Sequence, residues 1–136
     1  MISYGAPDPM IGPCILRTLL LTVEPSVDWP TVERFERDVA RMPEHIPSIV
    51  NWRLSRVRGQ GPWTHAWEQE FRFVEDLRVD YLASPYHWGW VDRWFDPEQP
   101  SAIVAPALAH VFCAARQSVL APPPERAPIR AVPAGT

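Results

Sequence analysis

The chain has four histidines, His45, His65, His87 and His110, and no lysine. Acid–base chemistry near neutral pH therefore falls to histidine, tyrosine, arginine and the carboxylates. A Schiff-base lysine and a P-loop lysine are both excluded. No His-x-x-x-His, Cys-x-x-Cys, Gly-x-Ser-x-Gly or glycine-rich phosphate loop occurs, so neither a metal nor a cofactor is expected. The most specific segment is Asp80-Tyr-Leu-Ala-Ser-Pro-Tyr-His87. Tyr81 follows Leu77 by four residues, on the helix face that points inward, so its hydroxyl is expected to be buried and to need a partner. Pro85 ends that helix, and His87 can turn back over its end. A buried phenol and an imidazole at one cavity make an acid–base pair; the same spacing also fits a core tyrosine with a capping histidine.

Arg17 interrupts the apolar run from Cys14 to Val23. If buried, it needs a carboxylate or a polar ligand, and a salt bridge to Asp80 or Glu68 is the simplest expectation. His65 shares a strand face with Trp63 and Trp67, a face predicted to look toward the helices. Trp88 and Trp90 flank His87. Glu68, Glu70 and Arg72 fall on the opposite strand face, where they are candidate contacts between subunits.

The elements that must position these residues follow from periodicity. The chain has 136 residues, 17 of them proline and 7 tryptophan. Length allows one domain. The prolines crowd at the ends, so residues 1–13 and 119–136 are read as proline-rich tails flanking a domain over residues 14–118. Cys14–Val23 is a β-prone run, apolar on both alternating faces. Asp28 and Pro30 open a helix carrying Val32, Phe35, Val39 and Met42 at helical spacing. Ile49–Val57 and Trp63–Phe73 read as strands. Val74–Tyr81 and about His87–Phe95 read as helical pieces, and Ala107–Ala115 as a last strand. This β-α-β-β-α-β order is the ferredoxin-like pattern of an α+β domain. The first and last strands are apolar on both faces, so something must cover the face away from the helices, and a second copy of the sheet is the simplest candidate.

A net charge of −3 provides no basic field for nucleic acid or for a membrane surface. The apolar run around Arg17 is too short to span a bilayer. Two cysteines make no disulfide scaffold. A cytoplasmic protein with free thiols is expected.

The stretch Gly61-Pro-Trp-Thr-His-Ala-Trp-Glu-Gln-Glu-Phe71, followed by Glu75-Asp-Leu-Arg-Val-Asp-Tyr-Leu-Ala-Ser-Pro-Tyr-His87, resembles the stress-responsive dimeric α/β-barrel family. The likeness covers roughly residues 15–116. It implies a dimeric α/β barrel built from two ferredoxin-like sheets. The family includes a polyketide cyclase that closes its substrate by an intramolecular aldol condensation without metal or cofactor. Its catalytic tyrosine and histidine match Tyr81 and His87, and a further pocket histidine matches His65. The chain departs from it at Arg17, Val39 and Ser84, where that enzyme has histidine, a pocket tyrosine and histidine. Its pocket polarity is therefore changed, and a different substrate is expected.

Two functions remain open from the sequence. One is a cofactor-independent enzyme acting on a polyketide-like or aromatic-precursor carbonyl substrate by cyclase or lyase chemistry. In it His87 removes a proton, Tyr81 donates to the enolate oxygen, and His65, Arg17, Trp63, Trp67, Trp88 and Val39 line the pocket. The other is a non-catalytic homodimer, a stress-response or small-ligand-binding protein, in which Tyr81 and His87 bond each other and leave no room for substrate. Cavity volume beside Tyr81 separates the two.

Overall fold

In the computed structural model, which describes residues 1–121, Asp28 caps the first helix as its place before Pro30 predicts. Its carboxylate accepts a hydrogen bond from Thr31 N at 3.3 Å, and helix α1 runs Trp29–Ala40. Proline suits this first turn because its missing N–H has no partner there in any case. Phe35 and Val39 point at the sheet and are fully buried; Met42, in the short helix α2 (Met42–His45), is buried with them. Each such side chain contributes about 1.5–3 kcal/mol by leaving water.

The strands are β1 (Ser3–Gly5), β2 (Cys14–Leu21), β3 (Asn51–Arg56), β4 (His65–Phe71) and β5 (Ala109–Ala115). They form one antiparallel sheet in the order β1-β3-β4-β2-β5. Without β1, this is the ferredoxin-like arrangement that the periodicity predicts. Arg17 lies opposite Gln69 on β4 and Phe112 on β5, and directly opposed residues share a face. Arg17, Leu19, Leu21, His65, Trp67, Gln69 and Phe71 therefore all look toward the helices, and all are buried.

The second helical layer differs from a plain α-helix. Asp76–Tyr81 forms a wide π-helical turn, with Leu82 N donating to Leu77 O five residues back at 3.4 Å. After Pro85 a second π-helical turn, His87–Val91, runs into helix α3 (Asp92–Phe95). Leu77 and Tyr81 stay buried against the sheet. Turns of this width are rare and concentrate at functional sites.

The other face of the sheet is covered in part by the chain itself. Residues 1–13, read as a tail, instead carry β1, which pairs with β3. Glu70, read as a subunit contact, is fully buried within its own chain. Its Oε1 accepts from Asn51 Nδ2 at 3.0 Å and from Ser118 Oγ at 2.5 Å, and its Oε2 from the backbone N–H groups of Val119 at 2.6 Å and Leu120 at 3.3 Å. Tyr4 donates its hydroxyl proton to Leu120 O at 2.6 Å. Residues 118–121 thus form a strap fastened on Glu70 and joined to the N-terminal segment by Tyr4 and by Ser118 N, which donates to Met10 O at 2.8 Å. Glu68 pairs with Arg53 on the neighbouring strand, and Arg72 with Asp8. The expected proline-rich tail continues from residue 122 outside the described residues. Beyond the strap no described residue covers the face: Leu16, Thr18 and Leu20 are half-buried, and Val111 and Cys113 on the edge strand β5 are exposed. Cys14 is buried, and neither cysteine is in a disulfide.

β1 crosses Trp52 so closely that a Cβ on Gly5 would sit 2.0 Å from the indole. Gly5→Ala must displace one or the other. A loss of about 1–3 kcal/mol is expected, read as a lower urea midpoint at unchanged slope.

Candidate active site

β2 carries Arg17 into the interior, where it is 7% exposed. Its guanidinium donates through Nη1 to Gln69 Oε1 at 2.8 Å and to the Tyr81 hydroxyl at 2.7 Å, and through Nε to His110 Nε2 at 2.8 Å. It also packs over the rings of Trp67 and Tyr81, 5.1 and 4.7 Å from their centroids. All three acceptors are neutral. Among the described residues no carboxylate pairs with Arg17. The expected bridge to Asp80 or Glu68 does not form: Asp80 is exposed. Glu68 lies opposite Thr18, on the other face of the sheet from Arg17.

Tyr81 is 1% exposed. Its oxygen accepts from Arg17, so the phenolic proton is left for another acceptor; among the described residues it finds only Met42 Sδ at 3.9 Å, a weak one. Burial pushes the Tyr81 hydroxyl above its usual pKa, with Arg17 opposing. It stays protonated at neutral pH and can donate.

His87 follows the break at Pro85, its ring centroid 4.9 Å from that of Tyr81. Its Nδ1 is buried without a partner among the described residues. Burial holds its pKa below the ordinary 6.5; Asp92 opposes this and Arg17 adds to it. His87 is therefore neutral and basic at pH 7. His110 is held below 6.5 by burial and then by Arg17, and accepting from Arg17 requires an unprotonated Nε2. A protonated phenol and a neutral imidazole held side by side can serve as an acid and a base.

Two cavities meet here. The larger, about 500 Å³, is walled by Ile15, Leu77, Phe112 and Ala114 with Arg17 and Tyr81. The smaller, about 220 Å³, lies against Trp67, His87 and Phe95. Both are lined by Arg17, Tyr81, Leu82 and His110. The space beside Tyr81 is open rather than packed.

Residues 15–105 match the sequence profile of the stress-responsive A/B barrel domain. The chain belongs to this family. Among solved structures, a hydroxynitrile lyase from Passiflora edulis is similar at 14% identity and a TM-score of 0.61, over 75% of this chain and 93% of that one. A dimeric ferredoxin-like protein of unknown function from Thermobifida fusca is similar at 18% identity and a TM-score of 0.61, over 78% and 94%. A dimeric protein of unknown function and ferredoxin-like fold from Bacteroides fragilis is similar at 16% identity and a TM-score of 0.58, over 74% and 94%. No curated protein sequence matches. At these identities the structural likeness speaks for the fold.

Within this A/B barrel domain, Arg17, Trp67, Tyr81 and His87 come together. His65 and Trp63 do not join them. His65 lies four residues along β4 from Gln69, about 13 Å at strand rise. Its Nε2 meets Glu36 at 2.8 Å and its Nδ1 meets Thr64 Oγ1 at 2.8 Å, while Arg56 grips Glu36 at 2.7 and 2.8 Å. Burial raises the Glu36 pKa, but Arg56 and His65 outweigh it and hold the carboxyl below its usual range. This cluster lines a separate pocket of about 340 Å³ with Trp29 and Trp63. Val39 is packed in the core, lining neither cavity at Tyr81. Trp88 is 58% exposed; its indole N–H donates to Leu82 O, and its ring stands edge-on to His87. Gln69 and His110 belong to the site, although neither was singled out from the sequence. Strand alternation puts His110 on the face of Phe112, but only the β2–β5 register brings it to Arg17. Among the described residues no cluster of three metal-ligating side chains occurs, and no helix is long and apolar enough to cross a membrane.

Proposed function

We propose that this chain is an acid–base enzyme of lyase or cyclase type, acting as a homodimer on an enolisable carbonyl or related substrate. One observation carries the reading: Arg17 fixes the Tyr81 hydroxyl, whose proton meets only the weak acceptor Met42 Sδ among the described residues, beside a neutral His87, where the two cavities share their lining. His87 takes an acidic proton, from a carbon between two carbonyls or from a hydroxyl. Tyr81 donates to the oxygen on which negative charge develops, and Arg17 behind it supports that charge. In the cyclase form, the carbanion closes a C–C bond onto a second carbonyl of the same chain, and the resulting alkoxide takes back the proton. In the lyase form, deprotonation of a hydroxyl turns its carbon into a carbonyl as the C–C bond from that carbon breaks, and the departing carbanion takes the proton back from His87. Side chains supply every step, so the reading needs no cofactor. The lyase form has a parallel in the hydroxynitrile lyase among the similar folds.

The homodimer is supported by the apolar sheet face left open beyond the strap and by the exposed edge strand β5, where Val111 is 49% and Phe112 48% exposed. The non-catalytic reading needs Tyr81 bonded to His87 in a closed interior; the Tyr81 partner is Arg17, and the cavity is open.

The test is proton exchange in D₂O, followed by NMR over aryl and alkyl 1,3-dicarbonyl compounds, with cleavage of an aromatic cyanohydrin run beside it. Exchange or cleavage about 10²-fold or more above free imidazole is expected for at least one compound. Buffer-level rates across the panel with folded protein would count against an enzyme.

A further inference from the structure

We infer that the ligand of this site is an anion: a carboxylate on an apolar, aromatic-sized body, seated in the larger cavity against Arg17. The inference rests on the cavity assigned above and names the substrate class. A guanidinium this deeply buried is ordinarily matched by a carboxylate, because removing a lone charge from water costs several kcal/mol. Here the partners among the described residues are an amide, a phenol and an imidazole. Nη1 and Nε are used, and Nη2 donates to no described residue. The stack on Trp67 and Tyr81 holds the guanidinium plane in place. The larger cavity is lined by two arginines, Arg17 and Arg78, and by no acidic residue. Its other walls are mainly apolar, which suits a hydrocarbon or aromatic body. The uncompensated charge is also felt by its neighbours, since Arg17 helps hold both His87 and His110 below the ordinary histidine range. A monoanion fits one deeply buried cation better than a dianionic phosphate does.

The test is binding to the full-length protein by calorimetry, using 3-phenylpropanoate, its neutral isostere 3-phenylpropanamide, and a phenylalkyl phosphate. The carboxylate is expected to bind at least about tenfold more tightly than the amide, and more tightly than the phosphate. Arg17→Met should erase the preference between acid and amide; Arg78→Gln, at an exposed position, should reduce it partially. A readout on wild-type protein covers the case in which Arg17→Met fails to fold. Saturation with the carboxylate should raise the His110 titration midpoint seen by NMR, and the amide should not. Equal affinity for acid and amide, tighter binding of the phosphate, or an unmoved His110 midpoint would each overturn the inference. Binding requires no turnover. A protein that selects the carboxylate yet exchanges no substrate proton keeps the anion site and loses the enzyme reading; exchange without selectivity does the reverse.

Discussion

His87→Ala is expected to lower kcat/KM for an enolisable substrate by about 10²–10⁴-fold, the usual contribution of a positioned general base. Among the described residues, the imidazole is the one neutral base beside Tyr81 whose buried nitrogen has no partner. Its removal leaves the Arg17–Tyr81 bond intact, so the loss should appear in kcat more than in KM. The pH profile adds a second check. Burial first, and Arg17 also, hold the His87 pKa below 6.5. The basic form therefore accumulates as pH rises through a midpoint below 6.5, and kcat/KM should climb there and then level off. This limb should vanish in the alanine variant. Undiminished exchange in His87→Ala would remove the residue from the mechanism. The same shift makes a statement about stability. His65, His87 and His110 all have folded pKa values below 6.5. The unfolded chain takes up these protons first, so stability should fall as pH drops below about 6.5 toward the folded midpoints.

Glu70→Ala is expected to cost about 3 kcal/mol or more and to release the strap. Four donors converge on this carboxylate, and a buried donor left without an acceptor costs about 1–3 kcal/mol each, less whatever entering water recovers. Such a loss is a large share of the stability of a single domain. Glu70→Gln should fall between, because its amide nitrogen would face donors at one of the two oxygens. Chemical unfolding reads the energy. Trypsin reads the strap: cleavage after the exposed Arg116 should accelerate once residues 118–121 lose their anchor. An unchanged unfolding midpoint with unchanged cleavage would show that the strap does not depend on Glu70.

The gap between sequence and structure has a common cause at several positions. Alternation along Trp63–Phe73 correctly assigns His65, Trp67, Gln69 and Phe71 to one face. It says nothing of where along that face a cavity opens, so His65, expected in one pocket with Arg17, instead belongs with Glu36. The salt bridge expected for Arg17 fails because only the β2–β4 register decides which face Arg17 takes, and it sets Glu68 on the opposite one. β1 is three residues long among prolines and glycines, too short to produce a periodic signal. The π-helical turns stand where a plain helix is expected, with Leu82 N reaching five residues back to Leu77 O, a hydrogen-bond choice that local propensity does not register.

The sequence by itself determined the order of the ferredoxin-like elements, the inward faces of the helix and strands, and the nearness of Tyr81 and His87 across Pro85. These are short-range properties, set by side-chain period, capping and the stereochemistry of proline. Only the tertiary structure decided that Arg17 stands between Gln69, Tyr81 and His110, that Glu70 fastens the chain ends, and that the space beside Tyr81 stays open. Those contacts join residues 48 to 93 positions apart. They follow from strand register and the packing of distant segments, which no local pattern encodes.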